Sequence, residues 1–411
     1  MGKCKGMWRS IPIKYIADCN TEVLPESTDE NMTLKYIDIG SVNYGEGICS
    51  IQELTFSDSP SRARRIVHLG DTIISTVRTY LKAIAYISEE YSGNICSTGF
   101  AVLTPHNVDA KFFFYALNSD AFVSTVEKYS YGVSYPAITA KALTDLKLTL
   151  PPIDMQQCIA SYLDMKISRI GECIFQLQTQ LSMLTRYKRD LIAECVTKGL
   201  DKSAPMRPSG EDWIGDVPEH WQILPLRAFT KRNDRKNPGN LPLLSVERER
   251  GVVNRETDGS PDNYNRVPDD LSNYKMVKKG QFVMNKMKAW QGSYGVAPCD
   301  GIVSPAYYVY DLNFPNKDFF NYAIRGKCYI GFFGRDSYGI RTDQWDFKAE
   351  CIKHIPFVVP PVDEQKNIVS YLDEKLKIIE KLTTDIEAQI QKLKDYRRIL
   401  IHDAVTGKIK I

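Results

Sequence analysis

The sequence predicts an α+β protein in which two unlike globular domains are separated by two long, repeated helices. Three observations carry this. Residues 151–197 recur at 360–406 without a gap, with 19 of 47 positions identical. Both copies space their apolar residues alternately four and three apart. The stretches outside the copies mix short β-like runs with turns, as in Thr72-Ile-Ile-Ser-Thr-Val, Ala101-Val-Leu and Ala306-Tyr-Tyr-Val-Tyr, with a short helix predicted over Lys111 to Leu117.

The boundaries follow from the repeat. Residues 1–150 form the first domain, 151–200 the first helix, 201–208 a polar proline-bearing linker, 209–358 the second domain and 359–411 the second helix. A chain of 411 residues fits this count at roughly 100–200 residues per domain. The repeat extends weakly into the domains. Trp8-Arg-Ser-Ile-Pro echoes Trp221-Gln-Ile-Leu-Pro, and Ser130-Tyr-Gly-Val echoes Ser337-Tyr-Gly-Ile. Thus the scaffold is repeated and the domains have diverged.

Each helix opens with Pro-Pro-x-Asp. Proline disfavours helix before it, so Asp154 and Asp363 are the predicted N-caps. Gln157 would complete a capping box in the first copy, where the second has Lys366. The first seam reads Leu163, Ile167, Ile170, Ile174, Leu177, Leu181, Leu184, Lys188, Leu191, Cys195. The second reads Leu372, Leu376, Ile379, Thr383, Ile386, Ile390, Leu393, Arg397, Leu400, Ala404. A period of 3.5 over about four heptads is that of a coiled coil, and pairing with each other is the economical solution. Lys188 and Arg397 occupy equivalent seam positions, where a cation either fixes register or marks a seam open to water. From Asp154 to Thr197 a helix would span roughly 66 Å.

Composition excludes several classes of function. Lys plus Arg (53) nearly equals Asp plus Glu (50), so a polybasic nucleic-acid coat is excluded and any DNA binding must come from local patches. No run of about 18 apolar residues exists, and the amino-terminal residues lack an apolar signal core, which predicts a cytoplasmic protein without a membrane span. Ten scattered cysteines with no C-x-x-C pair predict reduced, mostly buried thiols, neither a zinc site nor a disulfide framework. No phosphate loop, dinucleotide fingerprint or nucleophile elbow is present. Nothing commits the chain to catalysis, and no cofactor is expected on it.

Basic clusters give the candidate DNA contacts. The first domain has Arg62, Arg64 and Arg65, then Arg78, Tyr80 and Lys82; the second has Lys231 and Arg232, then Lys286, Lys288, Trp290 and Gln291. The second recurring place is a glycine-bearing loop, with Tyr131, Ser134 and Tyr135 in the first domain and Tyr338 and Arg341 in the second. Basic side chains grip phosphate, and Arg, Lys and Gln also read base edges. A single Tyr or Trp in such a place is more often packing than contact. The signal is that both places occur in both halves.

These residues resemble a known family. The twice-repeated Pro-Pro-x-Asp-x-Gln helix start, the heptad helices, the Val-Thr ends and Trp213-Ile-Gly-Asp-Val-Pro-Glu-His-Trp221 are similar to the specificity (S) subunit of type I restriction–modification enzymes. Asn285-Lys-Met-Lys-Ala-Trp-Gln-Gly-Ser with Ser304-Pro-Ala-Tyr-Tyr resembles one class of its target-recognition domains. The resemblance implies that each domain reads half of a split double-stranded DNA target. It implies that the helices pack antiparallel and set the spacing, and that the chain is itself non-catalytic. Two methyltransferase subunits would dock on the helices, bringing S-adenosylmethionine and flipping the target adenine. Restriction subunits, with ATP and Mg, would then join in the prokaryotic cytoplasm. A coiled-coil adaptor with two protein-binding domains is the alternative.

Overall fold

The computed structural model describes residues 8–132, 134–236, 239, 241–255, 270–339, 345–409 and 411. They fall into two compact units. The first unit joins Met1–Thr179 to Ile386–Ile411, and the second is Gln180–Asp385. Each unit therefore holds one domain, the near part of one long helix and the far part of the other.

The first unit is layered. Strands Ala17–Cys19, Phe100–Pro105, Thr72–Ser75 and Ile84–Tyr86 form an antiparallel sheet in that order. Its alternate residues feed two cores, as a strand period of two requires. Phe100, Val102 and Ile73 bury into a cluster with Ile37 and Val67, while Ala101, Leu103 and Ile74 face helices Ala110–Leu117 and Asp120–Lys128. A second four-stranded sheet orders Gln52–Thr55, Thr33–Ile37, Ile95–Ser97 and Ala63–Ile66. The domain is thus built round two four-stranded sheets, beside the two-stranded pairs of Arg9–Pro12 with Lys147–Leu150 and Val42–Asn43 with Gly47–Ile48.

The second unit repeats the plan with different residues. Thr230–Arg232, Tyr307–Leu312, Phe282–Asn285 and Tyr294–Val296 form its antiparallel sheet. Phe282, Met284 and Tyr310 face one core, and Val283 and Val309 the other. In both units the first and last strands of the domain pair, Arg9 opposite Leu150 and Gln222 opposite Val359. That pairing delivers the chain to the start of a long helix. The stretch after residue 200 is itself structured: Met206–Pro208 pairs with Asp216–Pro218, and Arg207 donates to the Trp221 carbonyl at 2.8 Å.

The long helices run Ile153–Lys198 and Val362–Val405. In the first unit Ile159, Leu163, Ile170 and Ile174 share a core with Leu400 and Ala404. In the second, Leu191 and Cys195 share one with Ile368, Leu372 and Ile379. The start of each helix therefore packs with the end of the other, which is antiparallel pairing. The seam cations do something else. Arg397 is half-buried against Gly45 of the first domain, where a Cβ would stand 3.1 Å from its Nη2, and Lys188 is exposed.

Three repeated contacts fasten a domain to its helices. The caps differ from the sequence reading. Pro152, not Asp154, closes the first turn, accepting from the Met155 and Gln156 amides, and Pro361 accepts from Gln365. The aspartates sit inside the first turn, where the helix dipole favours an anion. The amide side chain that matters is Gln156, not Gln157. Buried Gln156 donates to the Pro151 carbonyl, and Gln365 donates to Pro360, both at 2.8 Å. Next, Tyr115 donates to Asp164 at 2.5 Å and Tyr322 to Asp373 at 2.6 Å, the aspartates of the repeated Tyr-Leu-Asp. Finally, Gly199 and Gly407 end the helices in left-handed backbone beneath Trp221 and Trp8.

The nine described cysteines are free, but only Cys96, Cys195 and Cys328 are buried; Cys49, Cys158 and Cys173 are exposed. Burial pushes the Cys96 and Cys328 thiols up to about 12, so both are inert at neutral pH. Among the described residues no helix is long and apolar enough to cross a membrane, and no cluster of ligands could hold a metal ion.

Candidate nucleic-acid interface

In the first domain the two predicted places meet. Strand Thr72–Ser75 runs on to Arg78, a 3-10 turn follows at Thr79–Leu81, and Lys82 closes it. Residues 130–132 and 134–137 lie alongside. Ala137 bridges to both Val77 and Tyr131, and the Thr79 amide donates to the Pro136 carbonyl at 3.3 Å. Gly132 turns this loop at φ +119, and a Cβ there would stand 3.0 Å from the Tyr135 carbonyl oxygen. The result is an exposed aromatic and cationic surface. Tyr131 is 78% exposed, Tyr135 64% and Tyr80 52%, and Ser134 is exposed between the first two. The Arg78 guanidinium lies 5.1 Å over the Tyr135 ring. Lys82 pairs with Glu127 at 3.3 Å and lies over Tyr44.

The arginines at 62–65 do not join that surface as a group. Arg62 faces Asp38 at 3.7 Å. Arg64 packs over Phe56 at 4.6 Å and donates to the Ala63 carbonyl. Arg65 is turned inward, and burial lowers its pKa from the ordinary arginine value. Arg64 and Arg65 are neighbours on the strand Ala63–Ile66, and successive strand residues point to opposite faces, so the two cannot share one patch.

In the second domain the same two places meet through an ion pair. The turn Lys286–Gln291 lies by the short hairpin of Ser337–Tyr338 with Asp346–Phe347. Lys286 Nζ is 2.7 Å from Asp346, which pairs with Tyr338 in the hairpin register. Trp290 lies 5.5 Å from Trp345 with the two rings tilted, and among the described residues its buried indole N–H has no acceptor. Lys288 and Tyr338 are exposed, and Gln291 is half-buried. Arg341 lies outside the described residues. On the neighbouring sheet Lys231 is exposed opposite Asp311, whereas Arg232 is engaged by Asp234 at 2.7 Å and stacked on Tyr308 at 3.9 Å.

Two residues at these surfaces escaped the sequence reading. Tyr129 is exposed just before the first loop, and Lys348 lies over Tyr338 at 5.6 Å. Lys348 is brought there by the hairpin return, whose length nothing in the sequence announces.

Comparison with known proteins bears on these surfaces. Residues 8–176 match the model of the type I restriction modification DNA specificity domain. The type I restriction enzyme MjaVIII specificity subunit of Methanocaldococcus jannaschii is 22% identical over 322 residues, which cover 74% of this chain and 71% of that protein. Residues 8–176 thus match the type I specificity domain, and over most of its length the chain is similar to type I specificity subunits. A chain in a structure of a type I restriction–modification system superposes with a TM-score of 0.71 at 20% identity, covering all of both chains, and so shares the fold. The family match ends within the first long helix, and the internal repeat carries the same plan through the rest of the chain.

Proposed function

We propose that this chain is a type I specificity subunit, each domain of which reads one half of a bipartite, asymmetric site in double-stranded DNA. The observation that carries the reading is the surface built twice. Both domains set a turn at a strand end beside a tyrosine-bearing loop or hairpin, yet the residues differ: Arg78 and Tyr135 in one, Lys286, Asp346 and Trp290 in the other. DNA symmetry mirrors protein symmetry, so a repeated scaffold with unlike readers suits two unlike half-sites.

The long helices set the gap between the half-sites, and two methyltransferase subunits dock on them. Those subunits carry S-adenosylmethionine, and restriction subunits carry ATP and Mg; this chain contributes none of that chemistry and acts in the cytoplasm of a prokaryote. A formal net charge of +3 supports a subunit whose phosphate grip comes largely from its partners. Alone it binds DNA weakly, and increasingly weakly as salt rises.

The test is selection of bound duplexes from a random pool by the complex with its methyltransferase subunits. A split motif with unlike halves supports the reading. Binding indifferent to sequence would instead favour the adaptor.

A further inference from the structure

Four described residues other than glycine have positive φ: Asn20, Asn107, Arg78 and Lys82. Asparagine adopts that backbone readily; arginine and lysine do not. Arg78 (φ 53, ψ 49) and Lys82 (φ 52, ψ 35) bracket the same 3-10 turn. The surroundings hold them there. The Leu81 amide donates to the Arg78 carbonyl at 2.8 Å, the Lys82 amide to Thr79 at 3.0 Å, and the Ser75 amide to Ala83 at 2.9 Å. Strain held in place by its neighbours on an exposed surface is a mark of function.

The side chains divide the roles. Of the four arginines in the first domain's candidate set, Arg62 faces Asp38, Arg64 packs over Phe56, and Arg65 is turned in. Arg62 and Arg78 are both exposed, and of the two Arg78 has no carboxylate against it among the described residues. The Arg78 guanidinium lies instead over the Tyr135 ring. The electron-rich face of the ring attracts the guanidinium charge. The contact uses no N–H donor of the arginine, so the donors stay available for a ligand. The ring is fixed in turn: the Tyr131 and Ala137 backbones exchange hydrogen bonds at 2.9 Å, and Gly132 makes the tight return.

We propose that Arg78 reads a guanine in the half-site of the first domain, with Tyr135 as the positioning residue that holds the plane of the fork. The inference rests on the function proposed above. A guanidinium fork matches the O6 and N7 acceptors that guanine shows in the major groove. The same fork also matches phosphate, so what separates the two is whether the contact selects one base position or weakens binding at every sequence alike.

The experiment maps methylated adenines in cells expressing the full complex with wild-type chain, Arg78→Gly, Arg78→Lys, Tyr135→Ala or Tyr135→Phe. Glycine accepts left-handed backbone freely, so Arg78→Gly keeps the fold, and an unchanged melting temperature of the complex checks this. The wild-type motif should contain a guanine that Arg78→Gly and Arg78→Lys relax, with discrimination there falling about ten- to a hundredfold. All other positions stay as they were. Tyr135→Ala relaxes the same position, and Tyr135→Phe, which keeps the ring, does not. An unchanged motif in Arg78→Gly overturns the inference. So does a uniform loss at every position, which is the signature of a phosphate contact. A wild-type complex with no motif at all overturns the proposed function, and this inference with it.

Discussion

Gly407, the left-handed residue that ends the second long helix, lies against Trp8: a Cβ on Gly407 would stand 2.9 Å from Cζ2 of the indole. The other copy repeats this, with Gly199 3.0 Å from Cζ2 of Trp221. In each unit the tryptophan that leads into a domain is therefore seated on a helix end, which needs both a positive φ and a missing side chain. Gly199→Ala and Gly407→Ala should each cost about 1–3 kcal/mol, the sum of left-handed strain and displacement of the indole. Urea denaturation of the two variants checks this. Wild-type stability in both would mean that the contact is incidental.

The tyrosine-to-aspartate links should be worth measurable stability. Tyr115 is buried but for its hydroxyl contact with Asp164, and Tyr322 makes the matching bond to Asp373. Tyr115→Phe and Tyr322→Phe should each lose about 1–2 kcal/mol, as bonds to a charged acceptor do. In a double-mutant cycle Asp164→Asn should couple to Tyr115→Phe and leave Tyr322→Phe additive.

Acid should loosen the attachment of the first domain to the second helix. Lys394, 2.8 Å from Glu46, holds the Glu46 carboxyl below the usual glutamate value through their hydrogen bond. A carboxyl with a depressed folded-state pKa adds stability above its unfolded value, and that stability is lost as pH falls through the folded one. Melting temperature should therefore drop below about pH 4. Glu46→Gln should start lower at pH 7 and lose less on acidification, which thermal scans at pH 7 and pH 3.5 would read.

Helix length should set the half-site gap. Four residues added to the first long helix, matched in the second to preserve the seam, lengthen each by roughly 6 Å. At about 3.4 Å per base pair the gap should widen by one to two base pairs. Methylation retained at the original gap would count against a ruler.

The scaffold was the legible part of the sequence. A 3.5-residue period and a repeat of 47 residues depend on chemistry that lies along the chain, and every seam position except Lys188 is at least partly covered. What lay across the chain was not legible. Gln156 was passed over for Gln157 because the capping-box spacing counts from Asp154, whereas the cap is the second proline, Pro152, two residues earlier. Arg65 read as surface until strand alternation turned it in. Arg78 has no glycine or asparagine to signal its backbone, and the pairing of Lys286 with Asp346 depends on a hairpin register 60 residues away. The recurrence of both candidate places named elements that the fold brings together in each domain.

The central claim is that two unlike domains on one repeated scaffold read two unlike half-sites. It is tested most directly by co-expressing the chain with its methyltransferase subunits and mapping methylated adenines, first intact and then with residues 8–150 replaced by the corresponding domain of another type I specificity subunit. The account predicts a split motif in which the replacement changes one half and leaves the other half and the gap intact. A palindromic motif, or a replacement that alters both halves together, would contradict it.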